Sequence, residues 1–470
     1  MKLLESILQD VSYALRTMRR TPMLTAAAIL SLGLGIGANT AIFSLIDTIM
    51  LRYLPVKSPQ ELVQLAWSGK SWPERFIDVT SGRGVDMNGQ NVRLPFSYDT
   101  YTQLRARSTS FSGVIGRFRN YEPAIVIAQG RADTARLELV SGNFFDVLGI
   151  GPAAGRLLND RDDREGAALT AVLSHQYWIN RFGADPDIVG RSILINGVSF
   201  NIAGVAAEGF QGLEVGSGVD LFLPLNVQPL IATRRSGNTD MLHTKDWWWV
   251  EIVGRRKPGV SEAQVRSETN AVFRQSLTVR GSEPVKPEDY PPLILGSAAQ
   301  GQSGLRYRFS QPLSVLMTIV GFVLLIGCAN VANLLMARAV ARRKEIAMRH
   351  ALGATSRRLF RQMIAESIVL ALAGGAAGLA IAHWGTLGLV RIFSSDTDPL
   401  VLDVRTNAVV FAFLIGVSLL VGLLFGLAPA IQSARVDLNT MLKGSMSDST
   451  RRFGMGRVLV TLQVAVSLAL

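Results

Sequence analysis

Gly69-Lys70-Ser71 has the closing residues of a phosphate-binding loop, in which glycine amides cradle phosphates and the lysine reaches them. That loop also needs a glycine five positions before Gly69, and Gln64 stands there, so the motif fails. Asp160, Asp162, Asp163 and Glu165 gather four carboxylates. A calcium loop wants glycine at its sixth position, but Glu165 holds that place and Gly166 comes one residue late. The cluster reads as a solvated loop. The four histidines are His175, His243, His350 and His383, and none pairs with another or with Cys328 at ligand spacing. No Gly-x-Ser-x-Gly elbow occurs. Trp247-Trp248-Trp249 could stack on a ligand, but a strand packed on both faces explains them more simply. No catalytic constellation, cofactor site or metal site is legible, and the chain reads as a non-enzyme.

The elements around these residues are those of a membrane protein. Of 470 residues 48% are hydrophobic, and the mean hydropathy is positive. Residues 21–46, 309–337, 367–390 and 406–434 carry no charged side chain. A spanning helix needs about 20 predominantly apolar residues, so each run is long enough. A further run opens at Val458 and stops at Leu470. Its length gives about 20 Å of helix at 1.5 Å per residue, short of a hydrocarbon core of about 30 Å. The expectation is four full spans and the start of a fifth, in a fragment of a longer protein or a truncated product. The single cysteine excludes an intramolecular disulfide framework, and no cleavable signal is evident.

Basic residues orient the spans. Lys2, Arg16, Arg19 and Arg20 precede the first. Arg338, Arg342, Arg343, Lys344, Arg349, Arg357, Arg358 and Arg361 lie between the second and third, and Arg435, Lys443, Arg451, Arg452 and Arg457 follow the fourth. Asp396, Asp398 and Asp403 lie between the third and fourth. The basic segments belong in the cytoplasm, with the N-terminus inside and residues 52–310 outside. Those outer residues hold 29 basic and 26 acidic side chains, against 19 and 10 in the rest. The net charge of +12 is therefore mainly a topology signal. Nucleic-acid binding is not indicated, because no basic patch is interleaved with aromatics.

Leu4, Ile7, Leu8, Val11, Ala14, Leu15 and Met18 recur at helical spacing, which predicts an amphipathic helix over 1–20. It would lie in the cytoplasmic interface, pack against the spans, or do both. Thr21-Pro22 reads as an N-cap and first-turn proline opening span one. Inside that span Gly33 and Gly37 are small enough for close helix packing, and Asn39 can bond across an interface. A dinucleotide-binding reading of these glycines fails for want of a strand–turn–helix unit.

The outer segment alternates strand and helix signals. Residues 61–67, 111–118, 247–253 and 294–295 read as strands, and 97–107 as a helix with Tyr98, Tyr101 and Leu104 inward. Ser261 followed by Gln264 predicts a capped helix reaching about Leu277. Strand signals at 137–140, 192–195 and 200–205 fill the middle, with Asn196-Gly197 as a hairpin turn and a short helix at 175–182. These signals predict an outer lobe, about 111–240, inserted in a β-α-β lobe. The fold class is membrane α-helical, four full transmembrane helices plus the start of a fifth, with a large α+β two-lobed extracytoplasmic domain.

The boundaries expected are a cytoplasmic amphipathic helix at 1–20 and transmembrane helices at 21–51, 311–337, 362–392 and 406–430. The outer domain fills 52–310, a cytoplasmic segment 338–361 and a linker 431–457, and a further helix opens at 458–470.

The segment between spans two and three reads as helix, a break at Gly353, then a new helix capped by Thr355 or Ser356. Small residues at the bend would let a partner dock closely, and an ordinary basic loop obeying topology accounts for the same composition. Arg342, Glu345, Ile346, Arg349, Ala351, Leu352, Gly353 and Ala354 follow the order Arg-x-x-Glu-Ile-x-hydrophobic-Arg-x-Ala-hydrophobic-Gly-Ala. This order resembles the cytoplasmic coupling segment of MacB/FtsX-type ABC permeases. Glu366 is similar to the glutamate that often opens their third span, and Gly426, Leu427, Pro429, Ala430 and Ala434 resemble the end of their last. Outer-domain resemblances include 140–149 (Val-Ser-Gly-Asn-Phe-Phe-Asp-Val-Leu-Gly), Gly155-Arg156, Val189-Gly190-Arg191, 221–225 (Leu-Phe-Leu-Pro-Leu) and 256–260 (Arg-Lys-Pro-Gly-Val).

The resemblance covers nearly the whole chain. It implies a permease subunit that couples ATP hydrolysis by a partner ATP-binding subunit to periplasmic conformational change, for efflux or envelope export. It implies a homodimer or pseudo-dimer in the bacterial inner membrane, in contact with lipid and with a periplasmic partner. The alternative in the same architecture is a non-transporting transmembrane signal transducer that regulates an envelope enzyme. An orphan scaffold without an ATPase is a third reading. The run from Arg457 resembles the start of a second copy in duplicated permeases of this family.

Overall fold

The structure is a computed structural model. It describes residues 2–69, 73–82, 84–87, 90–119, 122–231, 240–282, 284–302, 304–341, 356–394, 402 and 406–434. The chain forms two compact units. One comprises Met1–Met50, Arg308–Thr397 and Leu402–Leu470, and the other Leu51–Tyr307 with Asp398–Val401.

Helix α1 (Lys2–Arg20) and helix α2 (Pro22–Ile46) open the chain. Pro22 sits in the first turn of α2, where its missing N–H costs nothing. Thr21 occupies the cap position, but its hydroxyl makes no cap bond, contrary to the sequence reading. Its ψ of 66° lies well short of the extended backbone usual at an N-cap. One turn of π-helix, Asp47–Leu51, follows α2.

The outer unit holds α3 (Tyr98–Arg107), α4 (Phe144–Leu148), α5 (His175–Phe182), α6 (Gln228–Ile231) and α7 (Glu262–Ser276). Ser97, Ser174 and Ser261 cap three of them, accepting from the amides of Thr100, Tyr177 and Gln264 at 3.1, 3.3 and 3.2 Å. The helices lie with a continuous sheet. Leu62–Trp67 pairs antiparallel with Leu293–Ser297 and with Val250–Arg256. Val250–Arg256 pairs with Phe111–Arg119, which pairs with Leu137–Val140. From there the ladder passes through Leu221–Pro224, Thr170–Leu173, Val198–Ala206 and Ser192–Ile195 to the hairpin Ala124–Ala128 and Arg131–Ala135. Phe111–Arg119 is thus bonded on one side to a strand of the flanking pieces and on the other to a strand of the middle segment. The two parts share one ladder. Asn196 (φ 49°) and Gly197 (φ 85°) make the hairpin turn with both central residues left-handed, as a primed turn requires.

Both faces of this sheet are covered. Val114 and Ile252 belong to one core with Trp67, Phe96, Tyr101, Trp248, Trp249 and Phe273. Their strand neighbours Ile115 and Val253 belong to a second core with Phe144, Phe145, Phe210 and Phe222. Strands buried on both faces read as apolar runs rather than alternations. The three tryptophans are core residues. Trp247–Trp248 forms a short strand parallel to Val79–Thr80, and Trp249 breaks the run before Val250–Arg256. Indole nitrogens of Trp247 and Trp249 donate to Ser81 Oγ and to Met241 O, each at 2.8 Å.

Helices α8 (Gly304–Ala341), α9 (Ser356–Phe393) and α10 (Ala408–Ala434) follow among the described residues. Among the described residues three stretches are long and apolar enough to cross a membrane: Pro22–Leu51, Phe309–Leu335 and Phe360–Ile392. In α10 a shorter apolar stretch, Ala408–Leu424, is described. The expected fifth run at 458–470 lies outside the described residues.

Trp249 is fully buried. Trp249→Ala should lower stability by about 3–5 kcal/mol through the cavity it leaves. Ile127, 41% exposed, should tolerate alanine within about 0.5 kcal/mol. Urea denaturation of the detergent-solubilised protein checks both.

Candidate functional site

Span one packs against α9 and α8, and its small residues decide how closely they approach. A Cβ on Gly37 would stand 2.8 Å from Gly378 O and 2.9 Å from Ile381 Cβ of α9. One on Gly33 would stand 3.2 Å from Ala377 Cβ and 3.4 Å from Gly374 O. From the other side, a Cβ on Gly378 would meet Gly37 N at 3.1 Å and Gly33 O at 3.2 Å. The two backbones therefore touch where no side chain intervenes. Gly35 points the other way, about 200° around the helix, and a Cβ there would meet Leu324 Cδ1 of α8 at 2.8 Å. Asn39 is buried, and its Nδ2 donates to Gly35 O within α2 at 2.8 Å and to Val320 O of α8 at 2.9 Å.

The seam continues into α10. Cβ atoms on Gly422 and Gly426 would meet Ile368 Cα at 3.0 Å and Ser367 Cβ at 3.1 Å. Three buried hydroxyls on these helices are satisfied within their own helix, which suits hydrocarbon surroundings. Thr40, Thr386 and Ser418 donate to the carbonyls of Ile36, Ala382 and Leu414, at 2.7–2.8 Å.

Asp10 of α1 is buried and accepts from Arg361 Nε of α9 at 2.8 Å. Asp47, buried in the π-turn, accepts from Asn407 Nδ2 at 2.7 Å, and Asn407 Oδ1 accepts from Val410 N at the start of α10. Glu366 lines a cleft among α1, α2, α8 and α9 that is otherwise mostly apolar. Arg342, Glu345, Ile346, Arg349, Ala351, Leu352, Gly353 and Ala354 lie outside the described residues. Their flanks are described: α8 ends at Ala341, and α9 begins at Ser356.

The acidic cluster of the outer unit is occupied by its own chain. Asp162 accepts both Arg156 terminal nitrogens at 2.7 and 2.8 Å and the Asn159 amide. Burial pushes its carboxyl up, but Arg156 and the Asn159 amide outweigh that and hold it below the usual range. Asp163 accepts the amides of Gly142 and Asn226, and burial raises it. Asp160 pairs with Arg105. Among the described residues no group of three or more His, Cys, Asp or Glu side chains is arranged to hold a metal.

Sequence reasoning picked out Gly33, Gly37 and Asn39 on span one but not their counterparts Gly374 and Gly378. The run Gly374-Gly375-Ala376-Ala377-Gly378 inside the third apolar stretch was the available signal. Nothing local marks Asp10–Arg361 or Asp47–Asn407, whose partners lie 351 and 360 residues apart.

Long apolar helices, interrupted after the first by a two-core α+β unit, define a polytopic membrane protein with a large extramembrane domain. Residues 25–272 match the MacB-like periplasmic core domain, and residues 317–438 match the FtsX-like permease C-terminal family. The chain belongs to the MacB/FtsX family of ABC-transporter permeases.

It is similar to the macrolide export ATP-binding/permease protein MacB of Burkholderia thailandensis, 26% identical over 304 residues, which cover 64% of this chain and 42% of that protein. The pyoverdine export ATP-binding/permease protein PvdT of Pseudomonas syringae pv. tomato is 28% identical over 301 residues, covering 63% and 42%. MacB of Hahella chejuensis is 24% identical over 413 residues, covering 87% and 54%. The chain spans about half the length of the curated relatives it matches. Of solved structures, the periplasmic region of MacB from Actinobacillus actinomycetemcomitans aligns with 55% of this chain and 94% of its own, at 14% identity and a TM-score of 0.35.

The Gly37–Gly378 approach is sharp enough to test. Gly37→Val should cost about 1–3 kcal/mol by overpacking. Gly388→Val, in α9 with nothing within 4 Å of an added Cβ, should be neutral. Thermal unfolding in detergent micelles reads the contrast.

Proposed function

We propose that this chain is the permease subunit of a MacB/FtsX-type ABC transporter and couples ATP hydrolysis on a partner subunit to movement of its periplasmic domain, for efflux or envelope export. The observation that carries this reading is the order of the two matched domains, a periplasmic core domain at 25–272 and an FtsX-like permease domain at 317–438. The segment 342–354, with its Arg-x-x-Glu-Ile order and Gly353, falls inside the second. Basic residues cluster there and at the N-terminus, which supports placing both in the cytoplasm and residues 52–310 in the periplasm.

In this reading the protein resides in the bacterial inner membrane as a homodimer or pseudo-dimer. Arg342, Glu345, Ile346, Arg349, Ala351, Leu352, Gly353 and Ala354 meet the ATPase. Gly33, Gly37 and Asn39 hold the spans together so that a push at that segment moves the bundle as a body. A periplasmic partner receives the movement. Relatives whose names include macrolide export and pyoverdine export favour efflux over the signal-transducer alternative.

Reconstitution with the cognate ATPase tests the coupling. The wild-type chain should stimulate ATP hydrolysis, and Gly353→Arg and Glu345→Ala should abolish the stimulation while the protein still inserts and folds. Normal stimulation by both variants would sink the assignment. ATP-dependent substrate accumulation in inverted vesicles separates efflux from signalling.

A further inference from the structure

One feature of the outer unit has no part in a hydrophobic core. Arg117 lies on the central strand Phe111–Arg119, and its guanidinium is almost wholly buried. Its Nη1 donates to Glu138 Oε1 at 2.7 Å, and its Nε to Glu251 Oε2 at 2.8 Å. Its Nη2 donates to the side-chain oxygen of Gln302. Gln302 in turn donates to Gln64, whose own amide donates to the carbonyls of Leu65 and Ile252 at 2.8 and 3.0 Å. Two positions along the same strand, Arg119 donates to Glu214 Oε2 at 2.7 Å. The backbone closes the loop: Gln302 N donates to Leu213 O at 2.9 Å, and Val215 N donates to Gln302 O at 3.2 Å. Gln302 stands two residues before α8, the helix that carries the second apolar stretch.

A buried charge cluster of this kind is a poor way to gain stability. Desolvating the ions offsets most of their attraction, and apolar replacements of the same volume are often as stable or more so. What it supplies is geometry. Charge-assisted bonds from a planar guanidinium hold only in one orientation, whereas an apolar contact can slide. The cluster also joins four strands: Leu62–Trp67 through Gln64, Phe111–Arg119 through Arg117, Leu137–Val140 through Glu138, and Val250–Arg256 through Glu251.

We propose that Gln302 and Arg117 form the junction through which displacement of α8 enters the outer sheet, so that the strands move together with the helix instead of yielding at the connection. Gln302 and Arg117 are positioning residues in this role, and the proposal rests on the reading that ATP hydrolysis moves the spans.

The test uses the full chain with its ATPase in nanodiscs, on a Cys328→Ser background. Spin labels at the exposed positions Ser199 and Glu262 report the distance across the outer unit with ADP and with a non-hydrolysable ATP analogue. Wild type should show a nucleotide-dependent change in distance. Gln302→Ala should lose that change while ATP hydrolysis is retained. Arg117→Lys keeps the charge but not the planar fork that serves three acceptors at once, and should lose it too. Gln302→Glu restores an acceptor for Arg117 and should restore the change.

A wild-type change in Gln302→Ala overturns the junction, and so does a lowered melting temperature with the movement intact, which would make Gln302 a structural residue only. Absence of any nucleotide-dependent change in the wild type, or of ATPase stimulation, would instead bring down the proposed function and the junction with it.

Discussion

The helical unit depends on the contact of two bare backbones. Inside a bilayer, apolar side chains gain nothing by leaving lipid for protein, so helices associate through dispersion and interhelical hydrogen bonds. Both need close approach. Gly33 and Gly37 on α2 and Gly374 and Gly378 on α9 let the two backbones approach, with the inner carbons of Leu32, Ala377 and Ile381 packed beside them, and an added Cβ at any of the four would crowd those atoms. Gly35, on the opposite side of α2, admits Leu324 of α8, and Asn39 adds a bond to Val320 O. One helix thus presents two contact faces, and α8 and α9 take one each. Helix α10 reaches α9 by the same device at Gly422 and Gly426.

The outer unit obeys a different solvent. Water drives its two cores together, and large aromatics supply most of the buried surface. Phe96 and Trp248 stack, and Trp67 and Phe273 meet Trp248 edge-on. Against that background a buried charged group stands out, because hydration is what it forfeits. Glu138 has no exposure at all, and burial raises its carboxyl above the usual range despite Arg117 beside it. The pairing with Arg117 keeps it in place. Breaking such a pair on one side leaves an uncompensated charge, and that penalty keeps the geometry in force.

Local chemistry made part of this fold legible. The serine read as a cap at Ser261 became one, and Asn196-Gly197 became a hairpin turn, because these bonds close within a few residues; Ser97 and Ser174 cap their helices in the same way without having been read as caps. Long uncharged runs gave the apolar helices for the same reason. The amphipathic helix expected over 1–20 forms as α1, Lys2–Arg20, and its buried side includes Asp10, Ala14 and Thr17. The helix packs on α9 through small and polar residues, fixed by the pair of Asp10 with Arg361, a partner no local pattern could supply. The strand Phe111–Arg119 was seen as a strand, but its bonds to strands from both parts depend on residues up to 145 positions away.

That shared strand carries the buried Arg117 group. A sheet covered on both faces and bonded in one ladder resists bending, because bending would break packing on one side or hydrogen bonds along the other. A displacement delivered to any strand is therefore shared by its neighbours. Delivered at an outer edge, it would meet few of them; delivered at Phe111–Arg119, it reaches strands on both sides at once. Arg117 sits on that strand facing the segment that leads into α8, and its three acceptors come from two neighbouring strands and from that segment. Bonds of fixed direction are useful at such a point, because a junction that slides would absorb the motion it receives. In the proposed role of passing on movement, such a point needs side chains whose partners cannot easily be exchanged.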